Sequence, residues 1–336
     1  MFVWGMVDRS EQITVFGAMR NEGPFIVEWV CWYRMLGFDV LIATNDCTDH
    51  SVALLDRLAE EGWLTHITHA PEERQPPKQS AHRVGLAHPQ MQDADWAMVC
   101  DVDEFLVLHE GDGTIQSYLE GRDANVAGIC FSWMCFGAGG WKRYHDGLVH
   151  RQFRRRGPES QRVNMPFKSL FKTPARYRRL NAHAPSGYDG DRSLPENRWI
   201  DGAGRPIQKF VDTDQPIHHL SPDQITHASA QMNHYVIRSE ESFDIKRGKP
   251  SASALKDRYT DQFYRARNRN GFKDITAYKY AEGFDLIHAA AMALPGVARL
   301  HHLCCADYVV TLCAHKGVDH RTDERWIKHM DAASAG

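Results

Sequence analysis

The stretch WAMVCDVDEFLVL, from Trp96 to Leu108, carries three carboxylates inside an otherwise apolar run. Asp101, Asp103 and Glu104 are its only charged residues, and every other side chain in it is apolar, aromatic or a cysteine. An isolated ionised carboxylate is costly in an apolar medium, so such a run needs compensation. A divalent cation supplies it directly, because Mg²⁺ and Mn²⁺ accept carboxylate ligands. We therefore predict a metal site in this stretch.

Strand and helix patterns alternate before this stretch and predict the fold. Helical patterns separate four buried strand patterns, at 13–19, 38–45, 63–69 and 95–108. Such alternation predicts an α/β fold with a mostly parallel, Rossmann-like sheet flanked by helices. Ligands then collect at the carboxyl ends of the strands. On a regular strand Asp101 and Asp103 would point to the same face, as two ligands of one ion must.

The later part of the chain is less regular. Strand patterns recur at 125–137 and 227–239, and the basic, Pro- and Gly-rich region 141–214 predicts short strands and an ordered lid. From residue 240 onward the pattern is helical. We therefore predict a catalytic domain over residues 1–248 and a mainly helical C-terminal extension over 249–336.

Composition excludes some classes of protein. The chain has 336 residues, of which 43% are hydrophobic and 25% charged, with a net charge of −3. These values are typical of a globular protein and give no global attraction to nucleic acid. Residues 142–180 nevertheless hold 12 Lys and Arg against 2 Asp and Glu. This basic segment is either a solvated face or a wall facing an anionic acceptor or a membrane surface.

The cysteines and the N-terminal sequence are used to predict the cellular location of the protein. The eight cysteines include no CxxC pair, which favours a reduced, cytoplasmic environment. In HHLCC, from His301 to Cys305, the adjacent pairs lack the usual ligand spacing, so we do not predict zinc there. We expect no signal peptide and no membrane-spanning helix. The predicted location is the cytoplasm, with peripheral contact at the inner membrane face through the basic segment.

Five segments in this order resemble a known family of enzymes. The chain is similar to family 2-type glycosyltransferases of the GT-A fold, in the subgroup close to family 92. The resemblance rests on RNEGPFIVEWVCWYRMLGFD (Arg20–Asp39), TNDCTDHS (Thr44–Ser51), CDVDEFLVL (Cys100–Leu108), KSLF (Lys168–Phe171) and NHYVIRSEESFDIKRG (Asn233–Gly248). It covers roughly residues 13–248, and the chain beyond about residue 250 carries no segment that we can place.

The resemblance implies a role for each matching residue. It implies a metal, Mn²⁺ or Mg²⁺, with Asp103 as the main ligand, His234 as the second, and Asp101 contacting the ion through water or holding the ribose. Asp101, Asp103 and Glu104 would form the catalytic group. The nucleotide base or ribose would lie against Arg20, Asn21, Glu22, Asn45 and Asp46. Lys246 and Arg247 would neutralise the diphosphate, and Lys168, Gln79 and Arg83 would line the donor pocket.

The implied reaction moves a sugar from a nucleotide-sugar donor, with UDP as the default nucleotide, to a hydroxyl of a glycan or glycolipid. An inverting enzyme needs a carboxylate base, for which Glu104, Asp189, Asp191 and Glu196 are all available, so base and stereochemistry stay open. One alternative is a nucleotide- or glycan-binding module that has lost its chemistry. Another is a DxD-type phosphohydrolase, although its motif usually lies near the start of the chain.

Overall fold

The computed structural model describes residues 11–251 and 255–335. The strands in these ranges are β1 Ile13–Met19, β2 Asp39–Thr44, β3 Thr65–Thr68, β4 Trp96–Val99, β5 Glu104–Leu108, β6 Val126–Cys135, β7 Arg155–Arg156, β8 Phe167–Lys172, β9 Tyr177–Arg179, β10 Ser186–Tyr188, β11 Arg198–Asp201, β12 Ala230–His234 and β13 Phe272–Lys273. The helices are α1 Gly23–Met35, α2 Ser51–Glu60, α3 Pro77–Ala87, α4 Pro89–Gln92, α5 Ile115–Glu120, α6 Val149–Gln152, α7 Lys209–Asp212, α8 Glu240–Asp244, α9 Asp261–Arg267, α10 Ala281–Met292, α11 Val297–Lys316 and α12 Glu324–Ala335.

A nine-stranded mixed sheet forms the centre of the molecule. Its order is β3-β2-β1-β4-β8-β6-β12-β5, and β11 pairs with β6. The pairs β1–β2, β1–β4, β2–β3, β6–β11 and β6–β12 are parallel, whereas β4–β8, β6–β8 and β5–β12 are antiparallel. Helices cover the sheet, as the alternating pattern requires. The predicted α/β fold with a mostly parallel sheet is confirmed.

The prediction of one continuous strand over residues 95–108 is wrong, because the structure has two strands there. Strand β4 ends at Val99 and pairs with β1, whereas β5 begins at Glu104 and pairs with β12. Asp101 and Asp103 therefore lie in the turn between two strands, not on one strand face. Both strands are buried, and an apolar pattern cannot distinguish one long buried strand from two short ones. We call residues 100–103 the acid turn.

The C-terminal helices pack on the sheet domain. The ring of Trp32, on α1, lies 5.2 Å from that of Tyr280 and 6.0 Å from that of Phe284, on α10. Helix α11 packs against α1, α2 and α12. The predicted helical extension is confirmed, and it shares a hydrophobic core with α1. None of the helices in the described ranges combines the length and apolarity that crossing a bilayer requires. The domain boundary at residue 248 stays a prediction.

A close approach between α3 and β1 positions the start of α3. A Cβ atom on Gly85 would lie 2.4 Å from the ring of Phe16, so this position has room only for glycine. The fully buried Phe16 therefore packs directly against the helix backbone. Lys78, two turns earlier on α3, reaches the acid turn from this position.

Candidate active site

Three loops meet at one edge of the sheet. Met19 pairs with Thr44, so β1 and β2 end level with each other, whereas β4 ends at Val99, opposite Phe16. The three strands are parallel, so their carboxyl ends lie toward the same edge of the sheet. The residues that follow these ends are Arg20, Asn21 and Glu22 after β1, Asn45 and Asp46 after β2, and the acid turn after β4. Parallel strands thus bring together the sequence segments predicted for the donor site.

The loops after β1 and β2 are tied to each other. The Asn21 side chain donates to Thr48 Oγ1 at 3.0 Å and accepts from the Thr48 backbone N–H at 2.8 Å. Asn21 has a φ of 54°, a left-handed conformation that asparagine tolerates better than most residues. Asn45 donates to the Asp46 carboxylate at 2.9 Å, and Arg20 is exposed beside them. Together with Glu22, which follows Asn21 in the chain, Arg20, Asn21, Asn45 and Asp46 form a polar rim at this edge of the sheet.

Two lysines hold Asp101. Lys78 Nζ contacts one carboxylate oxygen, and Lys168 Nζ lies 3.5 Å from the other. Burial alone would raise the pKa of Asp101, but Lys168 and Lys78 hold it well below its usual range. Asp101 is therefore an ionised carboxylate already neutralised by protein cations. Sequence reasoning missed Lys78, although it directly precedes the predicted Gln79.

The buried Glu104 side chain contacts the backbone of the acid turn. Its Oε2 lies 2.8 Å from Lys168 Nζ and accepts a hydrogen bond from the Asp101 backbone N–H at 2.7 Å. Its Oε1 is buried without a hydrogen-bond partner. Burial raises the pKa of Glu104 to about 8, with Lys168 opposing the shift and Asp101 adding to it. With a side chain that is 0% exposed, Glu104 offers no surface to an acceptor.

Asp103 faces His234. Asp103 Oδ1 lies 3.7 Å from His234 Nε2, and Asp103 Oδ2 lies 3.9 Å from Lys246 Nζ. Burial lowers the pKa of His234 to about 3, so the imidazole is neutral. Burial raises the pKa of Asp103, but the positive charges of Lys246 and Arg238 oppose this shift, and the pKa lies below its usual range. Of the three predicted metal ligands, the structure brings Asp103 and His234 together, whereas Asp101 turns to the lysines.

A buried arginine that sequence reasoning missed lies beside this pair. Arg238 is 3% exposed, and its Nη1 lies 3.2 Å from Glu22 Oε2. Its guanidinium carbon lies 3.4 Å from the ring centroid of Phe25. The Nε and Nη2 atoms of Arg238 are buried without a hydrogen-bond partner. Arg238 belongs to the segment that carries the family resemblance, but only Lys246 and Arg247 were singled out there.

Other predicted donor-site residues point to different partners. Arg247 bonds Asp244 at 3.1 Å and Asp261 at 2.7 Å. Arg83 is exposed and pairs with Glu72, and Gln79 is exposed on α3. The roles of Gln79, Arg83 and Arg247 at the donor stay predictions.

The alternative bases lie in one exposed segment. Asp189, Asp191 and Glu196 follow β10 and are exposed. Asp191 accepts hydrogen bonds from the backbone and hydroxyl of Ser193, so that carboxylate organises its own loop. The geometry does not select a base among them.

Comparison with known proteins places the chain in a family. Residues 19–193, which is 175 of 336 residues, match the model of glycosyltransferase family 92. No curated protein matches the chain. Among solved structures, Staphylococcus aureus TarS 1-349 has 10% identity and a TM-score of 0.35, with 97% of this chain and 92% of that one covered.

Two other solved structures are similarly distant. The galactosyltransferase LgtC, in complex with donor and acceptor sugar analogs, has 11% identity and a TM-score of 0.30, with coverage of 86% and 99%. Glucosyl-3-phosphoglycerate synthase from Mycobacterium tuberculosis, in complex with Mn²⁺ and UDP, has 12% identity and a TM-score of 0.26. The match covers 49% of this chain and 57% of that one. The family model covers more than half of the chain, and the chain therefore belongs to glycosyltransferase family 92 and is a glycosyltransferase.

Proposed function

We propose that this enzyme transfers a sugar from a UDP-linked donor to a hydroxyl of a glycan or glycolipid, and that it depends on Mn²⁺ or Mg²⁺. The observation that carries the proposal is the pairing of Asp103 with His234 beside the buried Arg238 and the partly exposed Lys246. A carboxylate and a neutral imidazole suit a transition metal. The cations beside them suit a diphosphate.

The residues present fit a divalent ion. Two ligands bonded to one ion at about 2.0–2.2 Å lie roughly 3–4 Å apart, and Asp103 Oδ1 and His234 Nε2 are separated by 3.7 Å. When bound, the ion would stabilise the negative charge that develops on the departing nucleoside diphosphate. Because Lys78 and Lys168 already hold Asp101, Asp101 would contact the ion through water.

Protein cations complete the charge balance at the diphosphate. Lys246 lies 3.9 Å from Asp103 and donates to the Val236 carbonyl at 3.0 Å. Arg238 keeps two buried donors without partners, and a phosphate oxygen would satisfy them. Burial lowers the pKa of Arg258, but Tyr259, with smaller contributions from Asp101 and Asp103, outweighs it, so Arg258 lies within electrostatic reach of the acid turn. We assign Arg238, Lys246 and Arg258 to the diphosphate.

The donor's nucleoside would lie along the polar rim formed by Arg20, Asn21, Glu22, Asn45 and Asp46. The anionic acceptor or membrane surface would face the basic segment. There Arg154 and Arg155 are exposed and, with Trp141 and Lys273, line a surface cavity of about 370 Å³.

Calorimetry tests the donor site. UDP, GDP and CDP are each titrated into the wild-type protein and into Asp103→Asn, with and without Mn²⁺. We expect Mn²⁺-dependent binding of UDP that Asp103→Asn abolishes and that the exposed control Asp285→Asn preserves. Binding of none of the three would favour a module that has lost its chemistry, and equal binding without metal would exclude metal dependence.

A second titration tests the diphosphate assignment. Arg238→Gln removes a charged hydrogen bond, which is worth about 1.5–3 kcal/mol. We expect UDP affinity to fall by about 10- to 150-fold, which is the same energy expressed as a ratio, while uridine binding changes little. Arg247→Gln is the matched variant on the adjacent segment. A larger loss with Arg247→Gln than with Arg238→Gln would return the role to Arg247.

A further inference from the structure

We propose that a second metal ion, Zn²⁺, binds to Asp146, His301 and Cys305, at a site separate from the acid turn. His301 and Cys305 both lie on α11, four residues apart, and therefore share one face of the helix. Asp146 comes from the segment between β6 and α6, far upstream in the sequence. The site joins this segment to the C-terminal extension.

The three ligand atoms form a nearly equilateral triangle. His301 Nε2 lies 3.6 Å from Asp146 Oδ1, Cys305 Sγ lies 3.7 Å from the same oxygen, and Cys305 Sγ lies 3.6 Å from His301 Nε2. A tetrahedral zinc ion with bonds of about 2.0 Å to N and O and about 2.3 Å to S separates its ligands by about 3.3–3.6 Å. An ion above the triangle could therefore reach all three ligands after small movements of their side chains.

The surroundings resemble those of a ligand set rather than a surface cluster. Cys305 is fully buried, and the Asp146 side chain is 23% exposed. His301 Nδ1 is buried without a hydrogen-bond partner. His329, on α12, faces the second oxygen of Asp146, with Nε2 3.8 Å from Oδ2, and its Nδ1 lies 3.1 Å from His302 Nδ1. Such outer groups fix the orientation of a ligating carboxylate, and water would take the fourth position.

The donor chemistry distinguishes the two metal sites. The thiolate of Cys305 selects zinc, whereas the site of Asp103 and His234 contains no thiolate and suits Mn²⁺ or Mg²⁺. Binding requires the Cys305 thiol to lose its proton to solvent as the sulfur–zinc bond forms, and it requires His301 to release any proton on Nε2, because zinc binds the lone pair of a neutral imidazole. Protons therefore compete with zinc at both ligands, and affinity falls at low pH. The ion would tie the segment after β6 to α11, with α12 packed alongside through His329. The adjacent His and Cys pairs of HHLCC argued against zinc in the sequence, but only the first and last residues of that run, His301 and Cys305, take part. The third ligand is remote in the chain and leaves no local signal.

Metal analysis tests the site on the full, untagged chain. The protein is treated with EDTA, titrated with ZnCl₂ by calorimetry and analysed for bound zinc. We expect one zinc per chain that Asp103→Asn retains, because that variant alters only the acid turn. Cys305→Ser and His301→Gln should each weaken zinc binding by at least tenfold, whereas Cys313→Ser, another buried thiol on α11, should not. Zinc binding that Cys305→Ser and His301→Gln leave unchanged overturns the proposal.

Cobalt provides a readout that needs no variant. Co²⁺ bound by Cys305 gives a thiolate-to-metal charge-transfer absorption, which oxygen and nitrogen ligands alone do not give. We expect that band in the wild-type protein and its removal by one equivalent of Zn²⁺. If Co²⁺ produces no such band, the three side chains form only an ion-pair and hydrogen-bond cluster, and the proposal fails even if Cys305→Ser does not fold.

Discussion

Asp103 Oδ1 and His234 Nε2 lie 3.7 Å apart, although 131 residues separate them in the chain (234 minus 103). Antiparallel pairing of β5 with β12 creates this meeting, because His234 lies opposite Glu104 at the end of the ladder. The backbone N–H of Tyr235 also donates to the Asp103 carbonyl at 2.8 Å. Backbone hydrogen bonds on both sides thus fix the two side chains relative to each other.

This relationship predicts the effect of replacing His234. His234→Gln removes the neutral imidazole, and we expect the Mn²⁺ concentration for half-maximal UDP binding to rise by at least about tenfold, the lower end of the loss seen for outer-shell groups. Calorimetry at a series of Mn²⁺ concentrations measures it. The control is His227→Gln, since His227 bonds the Trp133 carbonyl at 2.9 Å. An unchanged Mn²⁺ requirement would exclude His234 as a ligand.

Local patterns predicted much of this architecture. Strand β1 has the predicted bounds, because an apolar run of seven residues between polar turns has few other interpretations. The alignment of β1, β2 and β4 also follows from the alternating pattern, and it brings the segments predicted for the donor site to one edge.

Contacts between distant residues could not be predicted in this way. The break between β4 and β5 depends on which partner each strand finds, and the apolar pattern contains no such information. The engagement of Asp101 by Lys78 requires the close packing of α3 on β1. Asp146 has no local signal that links it to His301. Side-chain partners of this kind depend on tertiary packing and not on periodicity.

The effects of replacing the buried residues Lys168 and Glu104 on the free energy of unfolding should not be additive. Both side chains are 0% exposed, and Lys168 Nζ lies 2.8 Å from Glu104 Oε2. Breaking a buried pair by removing one partner costs about 3–5 kcal/mol, whereas replacing both is often nearly neutral. We expect Lys168→Met to lower the free energy of unfolding by that amount and Lys168→Met with Glu104→Gln to recover most of it. Urea denaturation measures both, and additive losses would contradict the coupling.

Stability should fall in acid partly because of His82. Burial, with Lys78 adding to it, lowers the pKa of His82 to about 3, whereas an unfolded histidine has a pKa of about 6.5. Between these values the unfolded chain binds more protons, so the free energy of unfolding falls as pH falls, by up to about 1.4 kcal/mol per unit. His82→Gln should flatten this part of the profile, and the exposed control His315→Gln should not. Parallel profiles for His82→Gln and wild type would contradict the assignment.

Two exposed arginines of the basic segment should contribute to its binding of anionic membrane surfaces. Arg154 and Arg155 are exposed, whereas Arg156 bonds Asp274 and Glu159 at 2.8 Å each. Each basic residue near an anionic membrane contributes about 1 kcal/mol. We therefore expect Arg154→Gln with Arg155→Gln to weaken binding to phosphatidylserine vesicles by roughly 30-fold, which is about 2 kcal/mol.

Co-sedimentation measures that binding, and the control pair lies in the same segment. Arg178→Gln with Arg179→Gln removes the same charge from β9, outside the cavity that Arg154 and Arg155 line. Equal losses from the two pairs would mean that net charge alone drives binding. No loss from either pair would remove the membrane surface from the proposed function.

The packing of α3 on β1 should not tolerate an added methyl group at position 85. In Gly85→Ala the new Cβ would lie 2.4 Å from the Phe16 ring, so the helix must shift, and overpacking of this kind costs about 1–3 kcal/mol. Gly283→Ala is the matched helical control, because its Cβ would lie 3.8 Å from Met35 Sδ, in ordinary contact. That control should gain up to about 1 kcal/mol from helix propensity.

The same change should weaken the donor site, because a shift of α3 moves Lys78 away from Asp101. Thermal denaturation and UDP titration of Gly85→Ala measure the two effects together. Adding Phe16→Leu, which shortens the opposing side chain, should restore part of both. If Gly85→Ala is as stable as the wild type and binds UDP equally well, α3 can move without consequence, and the close packing of Gly85 on Phe16 does not position Lys78.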